Sequence, residues 1–253
     1  AMSIAIAKNQ LAEMKLFGML GVLEDALAEA TRSQLSGSEL LNVLVQAEAD
    51  YRQQRKTANR IKVAKFRGRP ALEDFDYTAK RSLSRPQIKE IHSLSWLEDA
   101  RPLMLIGPTG VGKTFVAQAA GLHACANGKS VMFTSITKWL ENLNLARSSG
   151  TYLRYRDKLA KFDLIIFDEM GSRKLTATEA QDLCEILEER SDHKSVVFTS
   201  QLPLNHWSEV IADTVIADAI YDRLHHSALT IDVTGESYRG VKAKKLASRN
   251  KDA

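Results

Sequence analysis

The segment Gly107-Pro108-Thr109-Gly110-Val111-Gly112-Lys113-Thr114 constrains the fold more than any other stretch of this chain. It satisfies the pattern G-x-x-x-x-G-K-[ST], follows an apolar run at 103–106 and precedes an apolar-periodic stretch at 115–125. A strand must therefore deliver a glycine-rich turn to the start of a helix. Backbone N–H groups turned inward, the helix dipole and the Lys113 charge then form an anion site suited to a polyphosphate. Thr114 offers a hydroxyl to the Mg²⁺ that accompanies a nucleoside triphosphate. The expected cofactor contacts run from Gly107 through Phe115.

From about Arg101 onward, short β-rich runs alternate with helical ones. Candidate strands are 103–107, 130–134, 164–168, 195–200 and 229–233. Each is continuously apolar rather than alternating, as in a parallel sheet buried on both faces, and the alternation of strand and helix predicts a doubly wound α/β core. Residues 1–70 read as all helix. Leu11, Met14, Phe17, Leu20 and Leu23 recur at spacings of three and predict one amphipathic segment ending near Arg32. After a break at Ser36-Gly37, Ser36 and Glu39 predict a capping box for a helix with an apolar face of Leu40, Leu41, Leu44 and Val45. That helix runs into a basic stretch and is stopped by Gly68 and Pro70. The expected organisation is a helical N-terminal domain at 1–70, a connector at 71–100 with a boundary at Leu83-Ser84-Arg85-Pro86, and an α/β domain at 101–253.

Three further segments supply chemistry around the loop. Leu164-Ile165-Ile166-Phe167-Asp168-Glu169 describes a buried strand that releases two carboxylates at its C-terminal edge, where open α/β sheets bind ligands. Asp168 is expected to hold Mg²⁺, and Glu169 to act as general base toward the water attacking the γ-phosphate. Taken alone, such a segment is a strand ending in two solvated acids; the loop some fifty residues upstream favours the catalytic reading. Val196-Val197-Phe198-Thr199-Ser200-Gln201 ends another strand in polar groups, of which Gln201, with Ser200 in reserve, is placed between the γ-phosphate and the water. In Asp218-Ala219-Ile220-Tyr221-Asp222-Arg223-Leu224, Arg223 either pairs locally with Asp222 and Asp218 or serves as an arginine finger reaching the nucleotide of a neighbouring subunit.

Basic and acidic residues nearly balance, 35 to 31, so any preference for polyanions must come from how they are distributed. Between Tyr51 and Pro70 lie Arg52, Arg55, Lys56, Arg60, Lys62, Lys65, Arg67 and Arg69, with no acidic residue among them. The tail after Gly235 adds Arg239, Lys242, Lys244, Lys245, Arg249 and Lys251. Such local fields attract polyanions, and the 52–69 stretch is expected to contact the backbone of duplex DNA, with strong salt and weak sequence dependence. A solvated basic helix is the alternative. No apolar run approaches the length of a membrane span and no signal-peptide pattern opens the chain, so the cytoplasm is the expected compartment. Cys125 and Cys184 sit in helical patterns and read as reduced core thiols. His225-His226 lacks metal-ligand spacing.

The loop, the acidic pair, Thr-Ser-Gln-Leu-Pro at 199–203, Ala-Asp-Ala-Ile-x-Asp-Arg-Leu at 217–224 and Gly-Glu-Ser-Tyr-Arg at 235–239 together resemble the IstB family. These are ATP-binding helper proteins of bacterial insertion sequences, similar in turn to DnaC-type helicase loaders and to DnaA within the AAA+ class. The resemblance covers nearly the whole chain. It implies a P-loop NTPase core and an Mg²⁺-dependent ATPase that forms homo-oligomers on DNA and regulates a partner transposase in a bacterial cytoplasm. It implies that Arg223 is the inter-subunit finger and Arg239 a sensor arginine. By the same analogy the region at 138–161, with Arg147, Arg154 and Arg156 beside Tyr152 and Tyr155, lines a DNA channel. Many relatives carry two aspartates at the acidic pair; Glu169 stands at the second position here. Rival readings are a replicative-helicase loader and a small-molecule phosphotransferase.

Overall fold

The computed structural model describes residues 4–72 and 83–235; Arg239 and the basic tail lie outside them. The chain forms two compact units, residues 1–59 and 60–253.

The first unit is built from α1 (Ile4–Glu13), α2 (Phe17–Arg32) and most of α3 (Gly37–Ala64). The single amphipathic segment expected here is broken in two. Lys15 takes φ 59°, its N–H donates to Ala12 O (3.0 Å), and the Leu16 N–H donates to Leu11 O (2.8 Å). Those two bonds close a helix around a left-handed residue, a position that glycine usually marks. Gly18 lets α2 approach α3 closely, since a Cβ there would collide with the Ala47 carbonyl. The buried Glu48 carboxylate accepts the N–H groups of Gly18 (2.7 Å) and Met19 (3.3 Å), which open α2, and the Nε–H of Arg52 (2.6 Å). Burial alone raises the Glu48 pKa, but Arg52 and the two amides outweigh it and hold the carboxyl below its ordinary range. Ser36 and Glu39 form the expected reciprocal box, Ser36 N–H to Glu39 Oε2 at 2.7 Å and Glu39 N–H to Ser36 Oγ at 3.3 Å. α3 ends at Ala64, short of Gly68, because Lys65 turns left-handed (φ 60°) and redirects the chain.

The second unit continues through α4 (Arg85–Ser93), α5 (Ser95–Glu98), β1 (Leu103–Ile106), α6 (Lys113–Ala126), β2 (Val131–Ser135), α7 (Ile136–Ser148), α8 (Tyr152–Ala160), β3 (Leu164–Met170), α9 (Ala177–Arg190), β4 (Ser195–Ser200), α10 (Thr214–His225) and β5 (Leu229–Asp232). The five strands form one sheet, order β2-β3-β4-β1-β5, and every pairing is parallel. Alternate residues of β3 serve two cores, as the period of a strand requires. Leu164 and Ile166 face α6 with Val116 and Ala120, and Ala64, Ile61 and Phe66 join that side. Ile165 and Phe167 face α7, α9 and α10. On this second face Trp139, Phe167, Phe198 and Trp207 form a continuous series of ring contacts at 4.9, 5.3 and 5.2 Å. Strand order reverses at β1, so the turn leaving β1 lies where doubly wound sheets bind ligands. Among the described residues no helix is long and apolar enough to cross a membrane.

Candidate nucleotide site

Gly107, Gly110 and Gly112 all take positive φ, and Gly107 has a second constraint. A Cβ on it would run into the carbonyl of Val233, the residue that follows β5. Only glycine can pass there. No side chain caps α6, so the first N–H groups of that helix are left for an anion. Lys113 is buried and folds back on the loop, donating from Nζ to the carbonyls of Gly107 (2.6 Å) and Pro108 (2.7 Å). Burial pushes its ammonium below the ordinary lysine pKa, with Asp168 opposing the shift.

Asp168 is fully buried two residues before the end of β3. Its Oδ1 accepts the hydroxyls of Thr114 (2.8 Å) and Thr199 (2.6 Å). Its Oδ2 has no hydrogen bond, and the nearest cation is Arg67 Nη1 at 3.9 Å. A buried carboxylate oxygen with no donor is costly unless something charged completes it. One hydroxyl and one carboxylate beside a phosphate loop are the usual protein share of an Mg²⁺ shell, the remainder being phosphate and water, so the donor set fits that ion. Glu169 follows in left-handed backbone (φ 62°), where the register of β3 on β4 slips between Phe167 and Met170. Its N–H donates to Thr199 Oγ1 at 3.0 Å, and its side chain is exposed. The strain throws the Glu169 side chain out of the pleat and into the cleft.

That cleft gathers Thr109, Gly110, Gly112, Lys113, Thr114 and Phe115 with Glu169 and Gln201. Val111 is instead wholly buried in the core. Ser200 is consumed by its own turn, its Oγ donating to Leu202 O (2.8 Å) and accepting the Leu202 N–H (3.0 Å). Gln201 is exposed at the cleft. Nothing in the sequence marks Thr199 or Arg67 as part of this site, beyond the place of Thr199 as a polar residue in an apolar strand. Thr199 ties Asp168 to Glu169 through space.

Arg223 sits elsewhere. It lines a cavity with Arg101 and Pro102, which precede β1, and Lys194, which precedes β4, at the sheet edge opposite the loop. At about 3.3 Å per residue, four-residue β1 puts roughly 13 Å between those edges. Its Nη2 meets Glu188 at 3.2 Å rather than Asp218 or Asp222.

The expected nucleic-acid cations divide. On the first unit Arg52 is bonded to Glu48, Arg55 lies 5.9 Å from the Tyr51 ring and Lys56 is exposed. On the second, Arg60 is partly buried with Nη1 lacking a hydrogen bond, while Lys62, Lys65 and Arg69 are exposed. Arg147 and Arg156 turn inward: Arg147 pairs with Asp182 and stacks on Tyr152 (4.4 Å), and Arg156 bridges Glu185 and Glu189. Their charge is neutralised by α9, whose carboxylates lie some thirty residues away in sequence. Lys138, Arg154, Lys158 and Lys161 keep the exposed positions of this region.

Known proteins resemble this chain over most of its length. The family of IstB-like ATP binding proteins matches residues 9–247. A Sinorhizobium fredii protein named for ATP binding in an insertion sequence is 37% identical over 94% of this chain and 97% of its own. One from insertion sequence IS21 of Pseudomonas aeruginosa is 32% identical over 94% and 89%. Among solved structures, the DnaC helicase loader aligns with a TM-score of 0.56 and 15% identity, over 65% of this chain and 96% of its own. DnaI aligns with a TM-score of 0.55 and 21% identity, over 67% and 90%. These two likenesses concern the fold alone. The chain belongs to the IstB-like ATP-binding protein family of insertion sequences.

Proposed function

We propose that this protein is an Mg²⁺-dependent ATPase that assembles on duplex DNA and regulates a partner transposase. The observation that carries the reading is Asp168, buried beside the phosphate loop with Thr114 and Thr199 on one oxygen and the other without a hydrogen bond. Thr114 and Asp168 would hold Mg²⁺, which when bound offsets charge on the β- and γ-phosphates. Lys113 exchanges the carbonyls of Gly107 and Pro108 for phosphate oxygens. Glu169 orients a water toward the γ-phosphorus and takes its proton as the bond to ADP breaks, leaving ADP and inorganic phosphate. Gln201 steadies the water and the γ-phosphate.

Arg223 stands at the far edge of the sheet and serves a neighbour's nucleotide rather than its own, so the complete site needs two copies of the chain. Assembly then follows ATP, and hydrolysis releases the interface as the bridged phosphate leaves. Exposed cations hold the DNA by its phosphates. Sedimentation of the purified chain with duplex DNA, Mg²⁺ and a non-hydrolysable ATP analogue tests this reading. Assemblies are expected only with nucleotide, and Arg223→Ala should retain ATP binding while losing turnover. A particle that stays monomeric with ATP and duplex, indifferent to both, overturns it.

A further inference from the structure

A second cavity, of about 550 Å³, opens within the α/β unit beside β2, one of the two edge strands of the sheet. Four cations line it, Lys65, Arg67, Lys138 and Lys158, together with the rings of Phe133 and Tyr155. No carboxylate is among its lining residues. Four like charges around one cavity repel one another, with only Arg67 near a carboxylate, Asp168 at 3.9 Å outside the lining, and an anion there removes the repulsion. The start of α7, at Ile136, adds the positive end of a thirteen-residue helix. Aromatic walls beside cations suit an anion that carries a flat ring, as nucleic acid does.

Arg67 belongs to both this cavity and the nucleotide site. Its backbone is fixed, because its N–H donates to Gln118 Oε1 of α6 at 2.7 Å. Its side chain is more than half exposed and lies between two attractions. One is Asp168 Oδ2, at 3.9 Å, the oxygen that has no hydrogen bond; the other is the Phe133 ring, at 5.8 Å on the cavity wall.

We infer that this cavity binds a phosphodiester of nucleic acid, and that Arg67 couples its occupancy to nucleotide binding. The inference rests on the ATP and DNA reading above, carries the DNA-channel expectation for 138–161 to this cavity, and adds to it a coupling residue. With Asp168 engaged by a divalent ion, the Arg67 guanidinium is repelled and swings to the cavity, where it strengthens the hold on phosphate. A phosphate in the cavity draws Arg67 from Asp168 and frees that oxygen for the ion. Both ligands select the same Arg67 position, so each tightens the other, and the coupling is reciprocal.

Fluorescence anisotropy of a labelled duplex, titrated with the full chain with and without Mg²⁺ and a non-hydrolysable ATP analogue, tests it. In the wild-type chain nucleotide is expected to tighten DNA binding by at least about fivefold. Arg67→Gln should bring that ratio to about one. The double variant Lys138→Gln, Lys158→Gln should bind the duplex about tenfold more weakly and lower the salt slope by roughly two. A wild-type ratio retained in Arg67→Gln overturns the coupling, and unchanged affinity and slope in the double variant overturn the cavity. Displacement of the duplex by excess ATP analogue in Lys113→Ala, whose loop site is disabled, assigns the cavity to free nucleotide and overturns the nucleic-acid assignment. If the wild-type chain binds no duplex under any condition, the proposed function fails and takes this inference with it.

Discussion

In the α/β unit, Trp139, Phe167, Phe198 and Trp207 run through one core at exposures of 2% or less. In α1–α3 no ring is buried to that degree. α1 buries no residue, α2 buries Gly18, Leu23 and Ala26, and Leu41, Val43 and Val45 of α3 stand 58%, 44% and 48% exposed. The first unit leans on a polar anchor, Glu48, where the second leans on close-packed rings. Area removed from water is the dominant favourable term in folding, so the α/β unit is specified by its own sequence. The helical unit keeps apolar side chains in water that a self-contained domain would have covered.

Four substitutions probe this difference. Phe167→Ala removes the ring that touches both Trp139 and Phe198, and should cost about 3–5 kcal/mol in urea denaturation. A loss near zero would mean the ring series is incidental. Glu48→Ala leaves the Gly18 and Met19 amides and Arg52 without their acceptor, and hydrogen exchange at those two amides should speed about tenfold. Unaltered exchange would move the anchor of the helical unit elsewhere. Glu169→Gly relieves left-handed strain and should stabilise the α/β unit by about 1 kcal/mol while ATP turnover is lost. Leu41→Ala should lie within about 0.5 kcal/mol of the parent, since its side chain is mostly in water already. A large loss there would show that the exposed face is already covered in solution.

Acid separates the units again. The folded pKa of Glu48 is lowered, so its contribution is complete above its ordinary value of 4.5 and fades as pH falls through the lowered one. Glu179, which opens α9, is held down to about 2, first by Arg173 and against the opposing pull of burial, with Thr176 helping. Its contribution is likewise full above 4.5 and is lost only as pH falls through about 2. Exchange protection in the first turn of α9 should therefore persist to about pH 2, read by amide exchange along a pH series. Loss of that protection near pH 4 would contradict the Arg173 pairing.

Most of the sheet was legible because a parallel strand buried on both faces, as β1, β3 and β4 are, writes itself as an apolar run; edge strand β5, Leu-Thr-Ile-Asp, instead alternates and buries only Ile231. Each of the five runs became a strand within two residues of its expected bounds. The phosphate loop was legible because its chemistry demands residues at fixed offsets. Helix ends fared worse. Lys15 and Lys65 take the left-handed positions that close α1 and α3, and lysine carries no signal of that backbone state. Contacts made through space were the least legible. Thr199 reaches Asp168 from the neighbouring strand, and the carboxylates that neutralise Arg147 and Arg156 come from α9. A run of cations in a sequence cannot reveal which of them already has a partner.

Gly107 links the start of nucleotide recognition to the far end of the α/β chain. The wall against which it turns is the Val233 carbonyl, and the Val233 N–H in turn donates to Ile106 O at 2.6 Å. During synthesis, more than a hundred residues separate the emergence of these two groups. Until β5 docks, the loop lacks that wall, and its shape rests on the Lys113 bonds to the Gly107 and Pro108 carbonyls and on the Gly107 N–H bond to Ser200 O. Affinity for ATP should thus arrive late and abruptly, as a report that the sheet has closed.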